Sequence, residues 1–238
     1  MASHAHTSEA SCIESFRASV APALGDRTVA DQLCSIGEYF ALSPDEQFPA
    51  SIDKDHLVYL ASGAAKLVSL EHPPLDAQTR GHILGFHFAD DIVSILRKPG
   101  GGSSLTALTH IELVAFSAEE FLDIAQADPA LLRSVLIKSL DSLQRTRTRM
   151  IRIGHQTARQ RIAGFLVNMA ERICGCMSGP CEIALPMGRS DIGDSLGLTI
   201  ETVSRQFTEL RKSGLISTPG RGIVGLSDID ALKCEAGL

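Results

Sequence analysis

The stretch Arg189-Ser190-Asp191-Ile192-Gly193-Asp194-Ser195-Leu196-Gly197-Leu198-Thr199-Ile200-Glu201-Thr202-Val203-Ser204-Arg205-Gln206-Phe207-Thr208-Glu209 leaves this chain few ways to fold. Ile192 and Leu196 stand four apart, which makes them neighbours on one helix face. Gly197 follows at once, and glycine takes the left-handed backbone of a sharp helix end at little cost. Thr199 offers an N-cap oxygen to a second helix. In that helix Ile200, Val203, Phe207 and Leu210 recur in steps of 3, 4 and 3, which predicts that all four face a core. The other side carries Glu201, Ser204, Arg205 and Thr208. A helix, a glycine turn and a second helix with a polar outer N-terminal half make the helix-turn-helix pattern. Beyond it, Leu215-Ile216-Ser217-Thr218 and Ile223-Val224-Gly225-Leu226 flank Pro219-Gly220-Arg221-Gly222. That predicts a β-hairpin with a basic tip, the wing of a winged helix.

These outer residue types have a definite chemistry in a major groove. Arg205 can donate two hydrogen bonds to guanine O6 and N7, Glu201 can accept from the cytosine amino group, and Ser204 is small enough to let the helix approach a thymine methyl. Arg189, Thr199, Thr208 and Arg221 are the candidate contacts to phosphates, which position a protein on DNA without specifying sequence.

Upstream the pattern is different. Leu57–Leu60, Ala65–Leu70, His82–Phe86 and Ile111–Phe116 are short apolar or alternating runs. Ser62-Gly63, His72-Pro73-Pro74 and Pro99-Gly100-Gly101-Gly102 punctuate them. Many short strands at this spacing predict an all-β sandwich or roll. Ser117 and Glu120 read as a capping box opening a short helix. After Asp128-Pro129 a long helix is predicted to about Ile153. Leu136, Leu140, Leu143, Arg147 and Met150 recur along it in steps of 4, 3, 4 and 3, the a/d seam of a helix that pairs with its own copy. Arg147 is the one charge in that seam. Another amphipathic helix is predicted over Ala158–Ile173.

The expected organisation is therefore α+β. A flexible arm spans 1–20, a jelly-roll sensor domain 21–127, a dimerisation helix 128–155 and a winged helix-turn-helix 156–238. Of the 238 residues, 44% are hydrophobic and 21% charged, ordinary for a globular chain and outside the disordered and collagen-like classes. No apolar run approaches the roughly 18–20 residues that span a bilayer, and Met1–Glu9 lacks the basic and apolar regions of a secretory leader. A cytoplasmic protein without membrane partners is expected, its cysteines reduced. The net charge of −6 is unevenly divided: residues 1–127 carry −10, residues 128–155 carry +4 and residues 156–238 balance to 0. A polyanion is repelled by the first part and tolerated by the rest.

Asp191-Ile192-Gly193, Gly197 through Arg205 and Lys212-Ser213-Gly214-Leu215-Ile216 together resemble the Crp/Fnr family of bacterial transcription regulators. Glu201-x-x-Ser204-Arg205 resembles its Fnr and FixK branch, as does Leu84-Gly85-Phe86-His87-Phe88-Ala89-Asp90-Asp91. The resemblance covers about residues 35–230. It implies a cyclic-nucleotide-binding-like jelly roll, a long dimer helix and a C-terminal winged helix. It further implies a homodimer on an inverted repeat of double-stranded DNA, TTGA-like half-sites read by Glu201, Ser204 and Arg205 in the helix Ile200–Lys212, RNA polymerase as a partner, and no enzymatic activity.

For the signal, the departures from the family matter most. Cyclic-nucleotide binders carry a Gly-Glu pair and a later Arg-Ser/Thr-Ala on the cyclic phosphate. Here the matching stretches read Phe88-Ala89-Asp90-Asp91 and Ser103-Ser104-Leu105, without the arginine and with acids that repel phosphate. The glycine-rich loop Pro99–Ser104 lacks the following helix and lysine of a phosphate cradle. Fnr-type [4Fe–4S] proteins need four cysteine ligands. Cys12 and Cys34 stand 22 residues apart, and Ala115 occupies the place of the sandwich cysteine. No cofactor is expected. Cys174, Cys176 and Cys181 read as surface thiols in a loop, as candidate redox thiols, or as three ligands of a metal site lacking a fourth. His82, His87 and His110 lack the spacing of a cupin metal site. The rival readings are a regulator gated by haem or another small molecule, and a cupin-like metal-dependent enzyme.

Overall fold

A computed structural model describes residues 2–20, 27–50, 54–70, 82–98 and 101–238. The chain divides into two compact units, Met1–Gln144 and Arg145–Leu238. The first unit begins with α1 (Ala2–Val20) and α2 (Arg27–Ile36). It continues through β1 (Glu38–Leu42), β2 (His56–Ser62), β3 (Ala64–Ser69), β4 (Ile83–Phe88), β5 (Ile92–Ile95), β6 (Arg97–Lys98), β7 (Gly101–Ala107) and β8 (Ile111–Ser117). Helix α3 (Ala118–Ala125) and the first part of α4 (Pro129–His155) complete it. Two antiparallel sheets face each other, ordered β1-β8-β2-β5 and β4-β3-β7-β6. This is the expected jelly roll, followed by the expected long helix.

Burial on both faces explains why β8 reads as a nearly unbroken apolar run. Successive strand side chains point to opposite faces. Ile111, Leu113 and Ala115 enter the core between the sheets with Val58, Leu60 and Leu105. Val114 and Phe116 project the other way, against Phe16, Leu33, Phe121 and Leu131 from the helices. The register Val58↔Ala115 and Leu60↔Leu113 keeps both sets in line.

Three expectations need correction. Residues 2–20 form a helix instead of a flexible arm, and Cys12 and Phe16 are only 2% and 3% exposed. The Phe16 ring lies 4.8 Å from Phe116 and 5.5 Å from Tyr59. Cys12 and Phe16 are one helical turn apart, so a short apolar stripe docks a segment whose composition is otherwise small and polar. Second, Gly101–Ser104 open strand β7 and are not a loop; Ser103 pairs with Ser69 and Ser104 with Val68, and both serines are buried. The turn residues Pro99, Gly100 and His72-Pro73-Pro74 lie outside the described residues. Third, Ser117 precedes α3 as expected but its side chain makes no capping hydrogen bond. The working caps are elsewhere. Asp128 Oδ1 accepts from Ala130 N at 2.8 Å and Leu131 N at 3.2 Å, with Pro129 at the first position of α4, where its missing N–H is harmless. The acids expected to repel a phosphate, Asp90 and Asp91, also have partners within the chain. Asp90 accepts from the Tyr59 hydroxyl at 2.8 Å. Asp91 accepts from Phe88 N and faces His87 Nδ1 at 3.3 Å.

Helix α4 changes character along its length. Leu131 and Val135 are buried on the sandwich. Leu136, Ile137, Leu140 and Leu143 are 58%, 49%, 53% and 45% exposed, and Arg147 is exposed as well. The Met150 side chain lies outside the described residues.

The second unit contains the end of α4 and then α5 (Ala158–Cys174), β9 (Cys181–Ala184), α6 (Arg189–Leu196), α7 (Ile200–Lys212), β10 (Ile216–Gly220), β11 (Ile223–Leu226) and α8 (Ile229–Ala236). Thr157 and Gln160 form a full capping box at the start of α5. That helix buries Ile162, Phe165, Leu166 and Met169, as the periodicity predicts. Among the described residues no helix is long and apolar enough to cross a membrane.

The docking of α1 is directly testable. Phe16→Ala removes a ring from a filled core and is expected to destabilise the first unit by about 3 kcal/mol, read as a lower urea midpoint and faster tryptic cleavage at Arg17. A surface arm would show neither change.

Candidate nucleic-acid interface

The turn between α6 and α7 is built from backbone constraints. Gly197 is left-handed at φ +64°, and Leu198 N–H donates back to the Gly193 carbonyl at 2.9 Å. The returning chain passes so close to α6 that a Cβ on Gly193 would meet the Leu198 carbonyl oxygen at 2.6 Å. Thr199 caps α7, its hydroxyl accepting from Thr202 N at 3.3 Å. Arg161 reaches from α5 to the end of α6, donating from Nη1 to the Leu196 carbonyl at 3.1 Å, where a cation complements the helix dipole.

Helix α7 is split along its axis. Val203, Phe207 and Leu210 are buried. Ile200, expected with them, is 47% exposed. It is the first residue of the helix and overhangs the end of the core, so the periodic rule places it one turn too far. Glu201, Ser204 and Arg205 are all exposed on the outer side. Hydrogen bonds from its own backbone and from the Thr199 hydroxyl hold the Glu201 carboxyl below the usual carboxylate range, so it is an ionised acceptor at neutral pH. Thr208 is half-buried and donates its hydroxyl to the Ser204 carbonyl at 3.0 Å.

Arg189 lies where periodicity and charge alone did not place it. Its guanidinium carbon is 3.1 Å from the centre of the Phe207 ring, its Nη1 is buried without a hydrogen-bond partner, and burial lowers its pKa to about 10. It remains a cation at neutral pH, stacked on the same ring that anchors α7.

Strands β10 and β11 pair antiparallel, with Ile216 opposite Leu226 and Gly220 opposite Ile223. Pro219 and Gly220 therefore belong to β10, and the tip narrows to Arg221-Gly222, with Arg221 exposed. A third strand, β9, completes the sheet on the far side of β11. Sequence reasoning missed β9, α8 and the tie between α5 and α8. In that tie Arg159 bonds both Glu235 carboxylate oxygens at 2.6 and 3.1 Å and the Ser213 hydroxyl at 3.2 Å. The partners are 76 residues apart, and no local signal joins them. Cys174 ends α5, Cys181 begins β9 and Cys176 lies between. Among the described residues no group of three or more His, Cys, Asp or Glu is arranged to hold a metal ion.

Residues 160–235 match the family model of a Crp-like helix-turn-helix domain. The transcriptional activator protein FnrL of Cereibacter sphaeroides is 30% identical over 187 residues, 77% of this chain and 75% of that protein. The nitrogen fixation regulation protein FixK of Bradyrhizobium diazoefficiens is 32% identical over 157 residues, 66% of this chain and 65% of its own length. The solved structure of FixK2 from Bradyrhizobium japonicum superposes with a TM-score of 0.70 at 25% identity, covering 84% of this chain and 96% of that one. The capped glycine turn, the split second helix and the wing agree with these matches: the chain belongs to the Crp/Fnr family of DNA-binding transcription regulators, in the branch that holds FixK and Fnr-type proteins.

Proposed function

We propose that the chain works as a homodimer on an inverted repeat of double-stranded DNA, reading TTGA-like half-sites with the outer face of α7 to regulate transcription. The observation that carries this reading is the split of α7. Its buried side fixes the helix, and its free side presents Glu201, Ser204 and Arg205 together. Arg205 pairs with guanine, Glu201 accepts from cytosine, and Ser204 faces a thymine methyl. Exposed Ile200 adds apolar contact beside Glu201.

The four backbone candidates differ in what they have left to give. Arg221 at the wing tip is exposed and carries the phosphate contact of the wing. Thr199 and Thr208 already serve α7 through their hydroxyls. Thr199 contributes at the start of α7, close to a phosphate, and Thr208 from within the helix. Arg189, stacked on Phe207, supplies fixed positive charge. RNA polymerase is the further partner that family membership suggests.

Dimerisation is supported by the leucines that α4 leaves uncovered. Leu136, Leu140 and Leu143 lie on one stripe, with exposed Arg147 at the next step of the same spacing. A narrow apolar stripe on a long helix suits a partner helix. In a parallel pair Arg147 lies near its own copy, where two guanidinium groups repel and lose hydration.

Two experiments test the reading. Arg205→Ala is expected to cost about 1–3 kcal/mol at a single base position and to relax discrimination there, whereas Arg221→Ala weakens binding to all sequences alike. Titration of half-site variants separates the two, and unchanged discrimination in Arg205→Ala would reassign the reading face. Arg147→Leu is expected to tighten the dimer by about 1 kcal/mol or more in sedimentation equilibrium. An unchanged or weaker dimer would place Arg147 on an exposed flank.

A further inference from the structure

Three of the six cysteines meet where α5 ends and β9 begins. The backbone between them is tied down along its length. Gly175 closes α5 in the left-handed conformation, donating to the Glu171 carbonyl at 2.9 Å while Cys176 N–H donates to Ala170 at 3.2 Å. Lys233 Nζ holds the Met177 carbonyl, and Ile229 N–H holds that of Gly179 at 2.8 Å. Cys181 pairs across β9 with Leu226 of β11.

On this frame the thiols converge. Cys174 and Cys181 both donate to the Glu182 carbonyl, at 3.5 and 3.9 Å. The Cys176 thiol donates to the Cys174 carbonyl at 3.8 Å. Burial, and then the crowding by Cys176 and Cys174, push the Cys181 thiol up to about 12. Cys174 is exposed, while Cys176 and Cys181 are half-buried. None of the three belongs to the face of α7 proposed to read DNA.

We propose that this cluster is an oxidation site for small hydroperoxides, at which exposed Cys174 is attacked first and Cys181 closes a disulfide with it. In the first step the Cys174 sulfur takes the terminal peroxide oxygen, the O–O bond breaks, and the alcohol, or water from hydrogen peroxide, departs. Cys174 is left as a sulfenic acid. In the second step the Cys181 sulfur attacks that sulfur, the S–O bond breaks, and the hydroxide leaves with the Cys181 proton as water. The peroxide has gained two electrons, and the two thiols have lost them. The fixed frame supplies what the second step needs, a resolving thiol that shares the Glu182 carbonyl with Cys174. Cys234 is exposed as well, and Cys12 is buried in the other unit.

The consequence for DNA binding rests on the function proposed above. A covalent S–S bond is shorter than any non-bonded approach of two thiols. Closing it draws the first residue of β9 toward the end of α5, and β9 is hydrogen-bonded to the wing strand β11 from Cys181 to Ala184. Oxidation therefore shifts the support of the Arg221 tip.

The test uses the full chain, reduced and then treated with hydrogen peroxide, blocked and digested with trypsin. The peptide Ile173–Arg189 contains all three cysteines. It is expected to become lighter by two hydrogens, reversibly with dithiothreitol, in the wild type and in Cys176→Ser. Cys174→Ser and Cys181→Ser are expected to block that loss, with oxygen accumulating on Cys174 in Cys181→Ser. Oxygen uptake without the hydrogen loss in the wild type, or the same loss in Cys174→Ser, would overturn the site. In the same samples, DNA affinity is expected to fall several-fold in the oxidised wild type and to recover on reduction, with Cys181→Ser unaffected. Unchanged affinity of the fully oxidised chain overturns the link to the wing. Absence of DNA binding by the reduced chain counts against the proposed function alone and leaves the mass result standing.

Discussion

The burial of Val203, Phe207 and Leu210 under α7 sets the orientation on which the rest of the second unit depends. Each such side chain contributes about 1.5–3 kcal/mol when removed from water, enough together to fix the rotation of a thirteen-residue helix. The direction of that helix is set by Gly197 and by the close passage over Gly193. The outer residues inherit their positions from these constraints. Glu201, Ser204 and Arg205 are exposed on the side of α7 away from that core. Arg189 shows the opposite economy: its charge is stacked on Phe207 and stiffens the anchor.

Two features of the first unit bear on the proposed dimer. The sheet β1-β8-β2-β5 is covered on one face by the second sheet and on the other by α1, α2, α3 and the start of α4. Helix α4 leaves the sandwich after Val135 with its register already determined, so the leucine stripe beyond it points in a fixed direction. Electrostatics divides along the chain as well. The first 127 residues carry −10 and the last 83 are neutral overall. On the proposed reading, DNA affinity comes from a few placed cations and helix ends instead of bulk charge.

Legibility in the sequence followed the range of the interactions. The helix-turn-helix was readable because its determinants are local: a glycine, a capping threonine and apolar steps of three and four. The paired sheets were readable from alternation and turn residues. What escaped depended on distant partners or on ambiguous composition. Gly101-Gly102-Ser103-Ser104 reads as a loop, yet it is a strand because β6 pairs with its glycines and β3 with its serines. Cys181–Ala184 is too short to signal a strand and becomes one beside β11. Ile200 satisfies the periodic rule for burial but sits where the core has ended. Arg189 reads as a phosphate contact; that it also stacks on Phe207, 18 residues on, is a tie no local signal gives. The N-terminal helix was hidden because two apolar residues, Cys12 and Phe16, anchor an otherwise polar segment.

The central claim is that two copies of α7 act together on DNA. Hydroxyl-radical footprinting of the full chain on a duplex bearing an inverted TTGA repeat measures this directly. The account predicts two symmetric protected patches about one helical turn apart, both lost together when either half-site is scrambled. A single asymmetric patch, retained when the second half-site is scrambled, would contradict it.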